Sequence, residues 1–175
     1  MEIIRIAEFD ISTEQHQQIT KLYNACFSEN LSRSYFKQLP HFRYLVFEQN
    51  FLIAQMGIDY RVIRVGDGVF SIFGVIDLCV EPNYRKQRIA SNLLTRLTQL
   101  AQTKSIDFLF CVSHCDSLYL KNGFQAISQL CSWLGINEHQ NCGVIKETID
   151  EKFMIKQIGE QPWIKGKIEL LGYMF

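Results

Sequence analysis

No apolar run in the 175 residues approaches the roughly 20 needed to span a bilayer, so no membrane helix is expected. The opening MEIIRIAEFD carries neither a basic leader nor a small-residue cleavage site, which points to a cytoplasmic protein. Net charge is also missing: 18 Lys and Arg balance 18 Asp and Glu, so no overall field draws the chain to nucleic acid or to an anionic membrane. Any partner must be recognised locally. Prolines number only three, and the chain has no repeat, low-complexity tract or linker, which leaves one domain over 1–175.

Six cysteines are present, but a chain with 47% apolar and 13% aromatic residues can bury a core without disulfides, so they are read as reduced thiols. Cys111, His114 and Cys115 cluster without a second ligand pair at metal-site spacing, and no metal is expected. Cys79, Cys111 and Cys131 read as small hydrophobes within strands.

The periodicity predicts a strand over 2–9 and a helix from Ser12 or Thr13 to Phe27, with Thr13 as its cap. It predicts a second short helix over Ser32–Leu39, stopped before Pro40. Three consecutive strands follow, Phe42–Glu48, Phe51–Val65 and Val69–Val80, the last two joined at Gly66-Asp67-Gly68. Ile89, Leu93, Leu94, Leu97, Leu100 and Ala101 then form one helical stripe over Arg88–Thr103. A buried strand at Asp107–Val112 and a helix at Asp116–Lys121, ended by Asn122-Gly123, come next. Strands at Phe124–Leu134, Lys152–Ile158 and Lys167–Phe175 complete the pattern. The order implies an α/β (α+β) fold with a mixed, mostly antiparallel sheet flanked by helices, neither a Rossmann half nor a barrel.

The chemistry concentrates in IDLCVEPNYRKQRIAS, residues 76–91. A strand ends at Glu81-Pro82, a basic loop follows, and a long helix opens, so unpaired N–H groups and a favourable dipole converge as for phosphate. Arg85, Lys86 and Arg88 add cations there. The bland alternative is a solvated loop that starts a helix. About 30 residues on stands Tyr119-Leu120-Lys121-Asn122-Gly123-Phe124.

Leu78-Cys79-Val80, then Pro82-Asn83-Tyr84-Arg85-Lys86-Gln87-Arg88-Ile89-Ala90, then Tyr119 to Phe124, resemble the GNAT superfamily of acyl-CoA-dependent N-acyltransferases. That family has a Leu-x-Val strand, a Pro-x-Tyr-Arg-x-x-Gly-x-Gly/Ala helix opening and a Tyr-x-x-x-Gly-Phe motif. One departure is plain: Arg88 stands where the family has its first glycine, although a non-glycine residue in helical φ/ψ can still offer its N–H. The Arg-x-Gln-Arg run and the aromatic ending Tyr173-Met174-Phe175 are similar to the aminoglycoside 2'-N-acetyltransferase branch.

The resemblance implies a single acyl-CoA N-acyltransferase domain that moves an acetyl group from acetyl-CoA to a primary amine of a small molecule, directly, in a ternary complex. It assigns Leu78, Cys79 and Val80 to the pantetheine arm, and Arg85, Lys86, Gln87, Arg88, Ile89 and Ala90 to the pyrophosphate. Tyr119 falls on the family's proton donor to the leaving thiolate, against a bland reading as a core tyrosine. For the base, Asp77 is the acid inside the central strand, and burial there would raise its pKa toward working pH. Alternation puts Asp77 on the face opposite Ile76 and Leu78 unless a bulge intervenes. Glu81, His114 and the Phe175 carboxylate stay open as alternatives, as does a base acting through water. The acceptor site is expected from residues 28–42 and the Gly66–Gly68 hairpin, with Asp59, Asp67 and Glu169 as candidate acidic lining. The competing function is a non-catalytic acyl-CoA-binding or sensing domain, and a longer acyl donor stays open. Nucleic acid is disfavoured as a partner, and the fold allows a homodimer through the C-terminal strands.

Overall fold

The structure is a computed structural model and describes residues 1–113 and 116–175, the side chains of Asp116 and Glu151 apart. The chain divides into two compact units, Met1–Asp59 with Ile76–Leu94, and Tyr60–Val75 with Thr95–Phe175. Strands β3 (Phe51–Val65) and β4 (Gly68–Val80) and helix α2 (Ile89–Thr103) contribute to both.

In the first unit β1 (Glu2–Ala7), β2 (Phe42–Glu48) and β3 run antiparallel in that order. Gln49 and Asn50 turn β2 into β3 with φ of +47° and +68°, the left-handed pair that matches strand twist in a two-residue hairpin. Helix α1 (Thr13–Cys26) starts one residue earlier than Thr13 capping would place it. Ser12 is the cap: its hydroxyl accepts from Gln15 N at 3.2 Å, and the Gln15 side-chain Oε1 accepts from Ser12 N at 2.9 Å. Ile19 and Leu22 bury the helix face against Leu45, Leu52 and Cys79.

The helix expected at Ser32–Leu39 does not form. Its apolar stripe has nothing to bury against, since Phe36 and Leu39 are exposed, and its carbonyls are claimed by side chains. Arg33 donates to Tyr35 O and Phe36 O, and Arg43 donates to Ser34 O. Asn24 clamps Leu31 through both its N–H and its carbonyl. These bonds offer the backbone an alternative to a helical ladder.

In the second unit β4 pairs in parallel with β5 (Phe108–Val112), reached through α2. β5 pairs antiparallel with β7 (Gln140–Gln157), β7 with β6 (Gln125–Asn137), and β6 in parallel with β8 (Ile168–Tyr173). β8 then returns to β3, with Arg64 opposite Glu169 and Val65 opposite Ile168, so six strands close a ring. Phe70, Phe108, Phe110, Phe153 and Ile155 pack within this unit's core, with Trp163 against Phe70 and Phe108. The β6–β7 hairpin reaches far beyond the expected strands. Its turn, Glu138-His139, takes φ of +42° and +61° with no glycine to announce it. Helix α3 (Asp116–Lys121) ends as expected, with Gly123 at φ +82° and its N–H on Leu120 O. Among the described residues no helix is long and apolar enough to cross a membrane.

Candidate functional site

The last residues of β4 depart from regular strand geometry. Asp77 has φ +52°, a left-handed residue inside a strand, which breaks the two-residue alternation and makes the irregularity that the sequence left as a condition. Close approach explains the glycine on the neighbouring strand. A Cβ on Gly57 would lie 3.0 Å from the Ile76 side chain and 3.3 Å from its carbonyl oxygen.

Asp77 is partly buried, and desolvation pushes its carboxyl up to about 6. Glu8 and Glu29 push in the same direction, while Arg43 and Lys37 oppose. Arg43 is 0% exposed and donates to both oxygens of Glu8, to Gln55 Oε1 and to Ser34 O. Lys37 is held below the ordinary lysine range by burial, with Asp77 opposing. Sequence reasoning missed this polar surround; its only signal was an arginine within the apolar run of β2.

Below Asp77, Leu78 and Val80 are partly buried and Cys79 is buried. Val80 O accepts from Arg85 Nε at 3.1 Å and from Cys26 Sγ at 3.4 Å, and Glu81 N donates to Ile53 O at 2.8 Å. Glu81 then caps a single-turn 3-10 helix, Pro82–Tyr84, by accepting from Asn83 N at 2.8 Å and Asn83 Nδ2 at 3.0 Å. Both of its oxygens are thereby engaged.

The loop that follows is exposed from Arg85 to Arg88. Lys86 and Arg88 take φ of +63° and +62°, while Arg85 stays at −66°. The helical φ/ψ expected at Arg88 is therefore not what the loop adopts. Arg88 occupies the left-handed region that glycine enters without cost, and its carbonyl accepts from Asn92 N at 2.9 Å, which makes it the cap of α2. Two left-handed residues one position apart, after an extended Arg85, bend the backbone sharply where the helix opens. Ile89 is buried and anchors the helix start, whose first N–H groups have no preceding turn to bond. Backbone donors, a helix dipole and three cationic side chains thus suit a pyrophosphate.

Tyr119 belongs to the second unit. It is 6% exposed, its ring meets Phe124 edge-on at 5.2 Å, and its carbonyl accepts from Asn122 N and Phe124 N. Phe175 is in that unit too, its ring 4.4 Å from the Arg61 guanidinium and against Gly74, where a Cβ would lie 2.1 Å from it. Each residue of the candidate acidic lining has a basic neighbour: Asp59 meets His41 Nδ1 at 2.9 Å, Glu169 meets Lys167 Nζ at 2.6 Å, and Asp67 lies 3.7 Å from Arg64. His114 and Cys115 lie outside the described residues. Among those described, no group of three His, Cys, Asp or Glu side chains could hold a metal ion.

A sequence model of the GNAT acetyltransferase domain matches residues 10–127. No curated protein matches the chain in sequence. Among solved structures, a GNAT-family N-acetyltransferase, YhbS, from Escherichia coli in complex with CoA superposes with a TM-score of 0.65 at 13% identity, over 97% of this chain and 89% of that one. The ribosomal-protein-S18-alanine N-acetyltransferase from Escherichia coli gives 0.57 at 12% identity, over 93% and 100%. Eis1 from Mycobacterium abscessus gives 0.63 at 14% identity, over 75% of this chain and 33% of that one, so the likeness takes in a third of that protein's length. At these identities the likeness is one of fold.

Proposed function

Because the chain belongs to the GNAT acetyltransferase family, we propose that it moves the acetyl group of acetyl-CoA directly to a primary amine of a small molecule in a ternary complex. One continuous segment, 77–90, carries this reading: it holds a carboxylate poised near pH 6 and, at its end, an exposed loop of backbone donors and cations.

Arg85, Lys86, Gln87, Arg88, Ile89 and Ala90 would hold the pyrophosphate, by backbone N–H and by charge. The backbone of Leu78, Cys79 and Val80 would line the pantetheine arm. Bound acetyl-CoA supplies an activated acetyl thioester. Asp77, ionised above pH 6, takes a proton from the ammonium of the acceptor at its carboxylate oxygen, which frees the nitrogen lone pair. Tyr119 holds a phenolic proton for the departing sulfur. The whole chain, 1–175, would serve as one acyltransferase domain.

A second reading, a domain that binds acyl-CoA without transfer, is favoured by one observation, the left-handed Arg88 in place of glycine. Calorimetric titration with acetyl-CoA, CoA and 3'-dephospho-CoA tests the cofactor loop, and thiol release across an amine panel tests transfer. Micromolar binding with release supports the enzyme. Binding without release on any amine supports the second reading, and absence of binding defeats both.

A further inference from the structure

Cys26 closes α1, and its sulfur donates to Val80 O at 3.4 Å, the same oxygen that Arg85 Nε reaches at 3.1 Å. One residue before Val80 stands Cys79, 6% exposed, in the core cluster of Ile19, Leu22 and Leu45, against which Cys26 packs from its partly exposed position. Two free thiols therefore adjoin, one reachable from solvent and one not, beside a guanidinium.

Their surroundings differ. Hydrogen bonds from Cys79 and Arg85 bring the Cys26 thiol down to about 6, against burial and the Glu81 carboxylate. Cys79 is pushed well above the ordinary thiol range by Cys26 and by burial, with Asp77 adding to the effect and Gln55 opposing. The helix end by itself disfavours a thiolate, because α1 has no basic residue in its last turn and presents its negative pole there. The stabilising charge comes from the loop, through Arg85. An accessible, ionisable thiol next to a protonated one is the arrangement that disulfide exchange requires, an attacking sulfur with a resolving sulfur behind it.

We infer that Cys26 is a modification site for low-molecular-weight disulfides, and that Cys79 resolves the adduct into a Cys26–Cys79 disulfide. With glutathione disulfide, the Cys26 thiolate attacks one sulfur; a Cys26–glutathione bond forms, the oxidant's S–S bond breaks, and one glutathione leaves with the electron pair. The Cys79 sulfur then attacks the Cys26 sulfur, the Cys26–glutathione bond breaks, and the Cys79 proton passes to the departing glutathione sulfur. The two protein thiols are oxidised by two electrons, and the reagent is reduced to two thiols. This chemistry needs no acetyl-CoA, so its failure and the failure of acetyl transfer are separate results.

The test treats the full chain with glutathione disulfide at pH 7 in a Cys142→Ser background, which removes an exposed thiol, and maps peptides by mass spectrometry. The Cys79→Ser form should hold one glutathione on Cys26. The Cys26→Ser form should leave Cys79 unmodified, at least tenfold slower to react. With both cysteines present the product should be the cross-linked pair, reversed by dithiothreitol. With Cys26 and Cys79 both present, the initial rate of glutathione release should reach half its plateau near pH 6, and Arg85→Ala should move that midpoint upward. Peptide mapping of the unsubstituted protein is a control independent of variant folding. An unmodified Cys26, a midpoint above pH 8, or an adduct that never closes onto Cys79 would overturn the assignment.

Discussion

Arg43 and Glu8 meet side-on, Nε to Oε2 at 2.8 Å and Nη2 to Oε1 at 3.0 Å, with no solvent reaching the guanidinium. The same side chain holds Gln55 and the carbonyl of Ser34, so one cation ties the turn after β1 and the irregular 27–41 segment to the strands. Replacing Arg43 by Met strands a buried carboxylate and should cost about 3–5 kcal/mol in chemical denaturation. The double change Arg43→Met with Glu8→Leu should recover most of that loss. An unchanged denaturation midpoint in the single variant would show that the pair contributes nothing.

Asp77 links activity to acid. If it takes the proton, turnover falls as pH drops through about 6, and Arg43→Met moves that limb upward because Arg43 holds the carboxyl down. Asp77→Asn should lower kcat by about 10²–10⁴. A flat profile between pH 5 and 8 would remove Asp77 from the reaction.

The same residue should show a trade between stability and function. Its folded pKa of about 6 lies above the ordinary 3.8, so the native state binds the proton more tightly than the unfolded chain. The resulting stability is full below 3.8 and is lost as pH rises through 6. Above that window Asp77→Asn should be the more stable protein, by at most about 2–3 kcal/mol. Denaturant curves of both proteins at pH 5 and pH 8 measure this; a variant less stable at pH 8 contradicts it.

Arg88 stands in the left-handed region, which costs an ordinary side chain about 1–2 kcal/mol. Arg88→Gly and Arg88→Ala remove the same charge, but only the glycine relieves the backbone. Arg88→Gly should therefore unfold later than Arg88→Ala by about 1 kcal/mol. Equal midpoints would place the loop in another conformation.

Tyr119→Phe keeps the ring that packs on Phe124, so the variant should still fold. Turnover should fall about 100-fold or more, with acetyl-CoA affinity nearly unchanged. Full activity would return Tyr119 to a packing role.

Elements that repeat a period over many residues were legible without the structure: β3 and β4 about Gly66, α2 as a single stripe, and α3 closing on Gly123. What escaped depends on neighbours distant in sequence. Segment 32–39 has helical spacing but no face to bury, and Arg43 takes a carbonyl such a helix would use. The β6–β7 turn uses Glu138-His139, residues that rarely signal a left-handed pair. At the candidate site the loop cations and Asp77 could be read from the motif. The left-handed geometry of Asp77 and Arg88, and the meeting of Cys26 with Cys79, follow from packing between segments more than 50 residues apart or from backbone strain, neither of which has a local pattern.

The return of β8 onto β3 orders events in time. Val65 must find Ile168, a pairing across most of the second unit's sequence, and such distant contacts slow the search for the native state. A chain emerging from the ribosome can assemble α1 and the β1–β3 meander early, yet its aromatic core stays open to solvent and to chaperones until the last strand arrives. β8 is thus a latch whose late synthesis sets the interval during which the nascent protein is exposed to aggregation.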